Sequence, residues 1–253
     1  MMLRSIERGA GPPVVLLHGL FGRAENLGVV QRRLEVTHRV LALDLRNHGQ
    51  SPHAPGMRYA DMAADVLETL RAAGALPCAW VGHSMGGKVA MIAALTAPEA
   101  VSRLVVADIA PTRAPPRFEA IVAAMQALPL HEGLTRAEAD AALAPVVETA
   151  EMRGFLLQNL RFGGVPSWRV GLAEIAEGLA DIEDFPLPDA PPYGGPALAI
   201  AGARSNYIRP EDRPVFRDLF PAVKFVTLKD AGHWLHADNP EGFIAVLQAF
   251  LGG

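Results

Sequence analysis

The chain has 253 residues, half of them hydrophobic and a fifth charged, which supports a sizeable core and excludes wholesale disorder. The 23 Lys and Arg residues are outnumbered by 27 Asp and Glu residues, and the net charge of −4 argues against binding nucleic acid. The single cysteine, Cys78, and the lack of a signal sequence or of an apolar run long enough to cross a bilayer predict a cytoplasmic protein without disulfides or a membrane partner.

Short aliphatic runs alternate with longer amphipathic segments from residue 14 to residue 107. The predicted strands are 14–17, 39–43, 79–81 and 104–107, and the predicted helices are 27–34, 59–73 and 86–95. Strict alternation of strand and helix predicts a parallel sheet with helices on both faces.

The pattern changes over residues 112–187, where proline-punctuated segments have helical periodicity and no segment favours a strand. Helices are predicted over 117–128, 136–149, 151–160 and 168–179. The alternation then resumes, with strands at 197–201 and 224–228 and helices at 213–219 and 240–251. The sequence therefore predicts an α/β core of residues 1–111 and 188–253, interrupted by a helical cap of residues 112–187.

A G-x-S-x-G pattern, Gly82-His83-Ser84-Met85-Gly86, lies between the third predicted strand and the helix that follows it. This is the setting in which the pattern forms a nucleophile elbow, a tight turn that places a serine above the edge of the sheet. The alternative is a serine that only caps the helix. The context favours Ser84 as a nucleophile.

Four motifs stand in an order and at spacings that resemble those of the α/β-hydrolase superfamily: HGLFG at 18–22, DLRNHGQS at 44–51, GHSMGGK at 82–88 and GHW at 232–234. With NLG at 26–28 and DIAP at 108–111, the chain is most similar to the small bacterial esterases of the YbfF type. The resemblance implies the α/β-hydrolase fold, a mostly parallel sheet flanked by helices with an inserted helical cap. It also implies hydrolysis of acyl esters, and for some members of acyl-CoA thioesters.

A serine nucleophile requires a base and an acid. His233 follows the last predicted strand, where the family places its base, and His236 is the nearest alternative. The loop at 202–207, where many relatives carry the acid, has no carboxylate, whereas Asp108 lies at the end of the strand after the nucleophile helix. We therefore expect a triad of Ser84, His233 and Asp108, with Asp230 and Asp212 as weaker candidates for the acid. 

The backbone amides of Met85 and Leu20 are the expected oxyanion-hole donors, with Phe21 next in line. Phe21 and Trp234 are expected to line the acyl pocket, although ordinary core packing would account for them equally well. The histidines and the single cysteine lack zinc-site spacing, and the glycines form neither a dinucleotide fingerprint nor a P-loop, so no metal and no cofactor are predicted.

These features predict a serine carboxylesterase that acts on small or medium acyl esters through an acyl-enzyme. An acyl-CoA thioesterase, or a perhydrolase or haloperoxidase with the same triad, remains an alternative within enzymology. The alternative outside it is a ligand-binding receptor of the same fold with an inactive site. The expected partner is a small ester or thioester, and the expected assembly is a monomer or a homodimer.

Overall fold

The computed structural model describes residues 1–252 and centres on a mixed sheet of seven strands. The nine strands are β1 (Ser5–Arg8), β2 (Pro13–Leu17), β3 (Arg39–Leu43), β4 (Cys78–His83), β5 (Val101–Ala107), β6 (Leu160–Arg161), β7 (Ser167–Trp168), β8 (Ala197–Gly202) and β9 (Val223–Leu228). The order in the large sheet is β1-β3-β2-β4-β5-β8-β9, and every neighbouring pair is parallel except the antiparallel β1 and β3. The predicted mostly parallel sheet is therefore confirmed.

Helices cover both faces of this sheet. The α-helices of the described chain are α1 (Gly28–Leu34), α2 (Tyr59–Ala72), α3 (Met85–Thr96), α4 (Glu119–Gln126), α5 (Arg136–Leu143), α6 (Ala150–Leu156), α7 (Leu172–Glu177), α8 (Leu179–Glu183), α9 (Arg213–Leu219), α10 (Leu235–Asp238) and α11 (Pro240–Leu251), of which α4 to α8 belong to the segment 112–187. α1 packs with α11 and α2 packs with α3, and the buried apolar side chains form two clusters. Because the inner strands are covered on both faces, β2 and β4 consist largely of buried residues.

The register of the central strands determines where the functional loops begin. β4 and β5 run in parallel with His83 opposite Ala107, so Ser84 and Asp108 leave the sheet side by side. The carboxyl ends of β2, β8 and β9 lie along the same edge. Open α/β sheets place their ligand sites at this edge.

Residues 112–187 contain α4 to α8 and the small β6–β7 hairpin. The prediction of no strand in this segment was wrong, because Gly163 and Gly164 adopt the positive φ values that let the chain reverse there. The helix predicted over 168–179 is instead divided between β7, α7 and α8. α7 ends at Gly178, where a Cβ would lie 2.5 Å from the Cβ of Met57. The edge strand β1 was missed because its four residues are mostly polar and exposed.

Candidate active site

Ser84 lies in a strained turn between β4 and α3, with φ 52° and ψ −120°. Its amide donates to the carbonyl of Ala107 at 2.9 Å, and the amide of Gly86 donates to the carbonyl of His18 at 3.1 Å. A Cβ on Gly86 would lie 2.5 and 2.6 Å from the carbonyl oxygens of Leu17 and His18, so only glycine permits this approach. Gly86 therefore allows the turn at Ser84 to pack closely against the loop after β2.

A continuous hydrogen-bonded chain connects Ser84, His233 and Asp108. The Nε2 atom of His233 is 3.1 Å from the Oγ atom of Ser84, and its Nδ1 atom is 2.8 Å from the Oδ2 atom of Asp108. Since a carboxylate can only accept here, Nδ1 carries the proton and Nε2 is left to accept the hydroxyl proton of Ser84. This is the arrangement in which an imidazole can act as a base toward serine.

The His233 ring is held by groups that the sequence did not reveal. Its face stacks on Tyr207, with ring centres 3.8 Å apart and an angle of 18° between the planes. The Nε2–H of His83 donates to the backbone carbonyl of His233 at 2.7 Å. Burial lowers the pKa of His83 well below its usual value, so this imidazole is neutral and serves as a hydrogen-bond donor to the backbone of His233.

Asp108 is fully buried and has a positive φ of 54°. Its Oδ1 atom accepts from the amide of Gly202 at 2.9 Å, and its Oδ2 atom accepts from the hydroxyl of Ser205 as well as from His233. Three donors thus compensate the burial of one carboxylate. Ser205 lies on the loop after β8, which has no carboxylate of its own and instead donates hydrogen bonds to that of Asp108.

The two expected oxyanion donors are the backbone amides of Leu20 and Met85. Within residues 1–252, neither the Leu20 nor the Met85 amide has a hydrogen-bond acceptor. The amide of Phe21, which was next in line, donates to the Nε2 atom of His48 at 3.1 Å. Because this amide is already engaged, the geometry favours Leu20 over Phe21.

Two buried histidines brace the loop that carries Leu20. The Nδ1–H of His48 donates to the carbonyl of Arg46, and the Nε2 atom of His18 accepts from the amide of Leu45 at 3.0 Å. Burial lowers the pKa of His18 to about 4 and that of His48 to about 3. Both rings are therefore neutral near pH 7 and bind through single tautomers.

The buried histidines predict a loss of stability in mild acid. His236 also has a pKa lowered to about 4 by burial, against an ordinary value of 6.5. When the folded pKa is lower, the unfolded chain binds more protons below pH 6.5, so the free energy of unfolding falls as the pH drops toward 4. Each such group contributes up to ~1.4 kcal/mol per pH unit within that window.

Urea unfolding at several pH values between 7 and about 5 measures the slope of the free energy of unfolding against pH. This interval lies above the titration of most carboxylates. We expect a shallower slope in His48→Gln, which removes one buried imidazole. The exposed His131 provides the control, since His131→Gln should retain the slope of the original protein. Equal slopes for all three proteins would contradict the prediction.

A largely apolar cavity of about 260 Å³ opens beside Ser84 and His233. Phe21 and Trp234 are both among the residues that line this cavity. Phe118, Met152 and Phe155 contribute from the segment 112–187, and the Phe155 and Trp234 ring centres are 5.5 Å apart. His236, the alternative candidate for the base, also lines this cavity and packs against His83. The carboxylate of Asp108 forms its hydrogen bond with the Nδ1 atom of His233.

The remaining candidates have other contacts. The carboxylate of Asp212 accepts from the amide of Arg209 at 2.7 Å, and Asp230 lies in a turn with a φ of 57°. The buried Lys88 donates to the carbonyl of Asp184 at 2.7 Å. Lys88 thus connects α3 to the end of the segment 112–187.

Across residues 1–252, the structure has no group of three or more histidine, cysteine, aspartate or glutamate side chains placed to hold a metal ion. The same part of the chain contains no helix that is both long enough and apolar enough to cross a membrane.

Comparison with known proteins agrees with the fold. Residues 12–240 match the family model described as the alpha/beta hydrolase fold, so the chain belongs to the α/β-hydrolase family. A solved structure described as a marine microorganism esterase superposes with a TM-score of 0.96, at 34% identity over 99% of this chain and 100% of that one.

Several curated relatives are named as esterases or lipases. The mouse sn-1-specific diacylglycerol lipase ABHD11 is 41% identical over 95% of this chain and 81% of its own length. The esterase YbfF of Escherichia coli is 34% identical over 94% of this chain and 92% of its own length. The chain is therefore an α/β hydrolase of the esterase and lipase group, as the sequence motifs predicted.

Proposed function

We propose that this protein is a serine carboxylesterase that hydrolyses small or medium acyl esters through an acyl-enzyme on Ser84. The observation that carries the proposal is the hydrogen-bonded chain from Ser84 through His233 to Asp108, with contacts of 3.1 and 2.8 Å. Serine hydroxyls are weak nucleophiles, and a neutral imidazole oriented by a carboxylate supplies the base they need.

The reaction has two halves. His233 takes the hydroxyl proton as Ser84 attacks the ester carbonyl, and Asp108 stabilises the imidazolium that forms. The imidazolium then returns the proton to the departing alcohol. Water, activated by the same Nε2 atom, attacks the acyl-Ser84 ester and releases the acid.

The amides of Leu20 and Met85 are proposed as the donors to the oxyanion. Met85 begins α3, so its amide lies at the positive end of the helix dipole, where negative charge is favoured. Since neither amide has an acceptor within residues 1–252, neither must give up a protein hydrogen bond when the oxyanion forms.

The acyl group is proposed to occupy the cavity of about 260 Å³, between Phe21 and Trp234. Residues 112–187 act as the cap in this proposal, because Phe118, Met152 and Phe155 supply one apolar wall. Burial of methylene groups against these side chains would favour an aliphatic acyl chain by about 0.8 kcal/mol for each group.

A fluorophosphonate probe followed by peptide mapping tests the nucleophile. We expect one probe per chain, attached to Ser84, because only a serine activated by a base attacks such a probe at a useful rate. A series of p-nitrophenyl esters and acyl-CoAs assayed on the same preparation would separate esterase from thioesterase activity. Folded protein that neither reacts with the probe nor cleaves any ester would instead support a ligand-binding receptor.

A further inference from the structure

A second concave surface adjoins the active site on the other side of Tyr207. Seven residues that line it are polar or charged: Thr112, Arg113, Arg117, Asn206, Tyr207, Arg209 and Asp212. We call this surface the arginine pocket; it has a volume of about 460 Å³. Its one acidic lining residue, Asp212, is 5% exposed and forms a hydrogen bond with the backbone of Arg209.

The positive charge of the arginine pocket is largely unbalanced. Arg209 pairs with Glu211 and Asp212, but within residues 1–252 no carboxylate lies within 4.0 Å of the Arg113 or Arg117 guanidinium. This concentration of charge is a local feature, because the whole chain has a net charge of −4. Two exposed guanidinium groups thus keep their hydrogen-bond donors available to an anion.

Tyr207 connects the arginine pocket to the catalytic residues. Its ring lines both cavities and stacks on His233 at 3.8 Å, and the Arg117 guanidinium carbon lies 4.8 Å from the centre of the same ring. The next residue along the chain, Phe118, lines the apolar cavity. Of these two neighbouring residues, Arg117 therefore contributes to the cationic surface and Phe118 to the apolar cavity.

The backbone that carries Arg117 is restricted. Pro115 and Pro116 restrict φ immediately before Arg117, and the carboxylate of Glu183 accepts from the amides of Arg117 and Phe118 at 2.8 and 3.3 Å. Less backbone freedom is then lost when an anion is bound.

We propose that the arginine pocket binds an anionic group, a carboxylate or a phosphate, on the same ester whose acyl carbon reaches Ser84. This inference rests on the proposed esterase function and narrows its substrate class to esters that carry a negative charge at one end. Arg113 and Arg117 hold the charged end, while the apolar cavity holds the uncharged part. Because both arginines are exposed, the preference should weaken as salt increases.

Matched pairs of substrates test the inference. On the acyl side, p-nitrophenyl hydrogen glutarate is compared with p-nitrophenyl valerate. On the leaving-group side, 4-(phosphonooxy)phenyl butyrate is compared with 4-methoxyphenyl butyrate. The measured quantity is the ratio of kcat/KM for the anionic ester to kcat/KM for its neutral partner, at low and at high NaCl concentration.

We expect the ratio in at least one pair to fall about tenfold in Arg113→Gln and further in Arg113→Gln/Arg117→Gln, mainly through KM. Arg113→Lys should retain part of the ratio, since it keeps the charge but not the planar donor array. Arg71→Gln, an exposed arginine on α2, is the matched control and should keep the original ratio. The pair that responds identifies whether the anion is carried by the acyl group or by the leaving group.

Two results would overturn the inference and leave the esterase function standing. One is hydrolysis of the neutral esters with no preference for either anionic ester. The other is an equal loss on both members of each pair in the arginine variants, which would indicate a purely structural effect through Tyr207. Failure to hydrolyse any of the four esters would overturn the proposed function as well.

Discussion

Replacing Ser84 with alanine is expected to lower kcat for ester hydrolysis by about a millionfold, the loss measured when the nucleophile of a comparable triad is removed. Without the hydroxyl no acyl-enzyme can form, and His233 has no proton to take. Residual turnover would come from water attacking a substrate held by the oxyanion amides. Steady-state kinetics on the best p-nitrophenyl ester measures the effect.

Ser84→Gly distinguishes lost chemistry from lost structure. The serine has a φ of 52° and a ψ of −120°, which is costly for any residue with a Cβ but not for glycine. We expect this variant to be as inactive as Ser84→Ala but more stable by about 1 kcal/mol in urea unfolding. Substantial activity in either variant would remove Ser84 from its proposed role.

Asp108→Asn is expected to lower kcat by about ten-thousandfold. An asparagine side chain cannot stabilise the imidazolium, and its amide group can favour the wrong tautomer of His233. Since the Oδ1 atom of Asp108 accepts from Gly202 and its Oδ2 atom from Ser205, the variant also mispairs at least one buried donor. Kinetic measurement on folded protein, checked by circular dichroism, gives the result.

Asp230→Asn is the matched control for this substitution. Asp230 lies on the His233 loop with a φ of 57°, a conformation that asparagine also tolerates, so the variant should fold and keep its activity. Ser205→Ala removes one donor from Asp108 but leaves the carboxylate, and a loss of about tenfold is expected. A large loss in Asp230→Asn together with an active Asp108→Asn would move the acid to position 230.

Most of the sheet could be predicted from the sequence because its signals are local. The runs 14–17 and 40–43 are apolar throughout, as strands covered on both faces must be, and both lie within strands of the structure. The turn at Ser84 was predictable for a similar reason, since the glycines around it are required by contacts within a few ångströms. The short hairpin at 160–168 has no such signal, because two-residue strands are too short to show a period.

The surroundings of the site were less predictable because they depend on contacts between distant segments. Nothing in the local sequence indicates that Ser205 reaches Asp108, or that Tyr207 stacks on His233. The sequence of the loop at 202–207 indicates only that this loop has no carboxylate. Only the parallel register of β5 and β8 shows that this loop lies next to Asp108.

The hydrogen bond between Ser84 and His233 joins residues 149 positions apart in the chain, and Asp108 is 125 positions from His233. Each of the three follows a different strand, so the alignment exists only when β4, β5 and β9 are all in place. Recovery of turnover after dilution from denaturant would therefore lag behind recovery of helical signal. Enzyme assays would in that way report completion of folding rather than its onset.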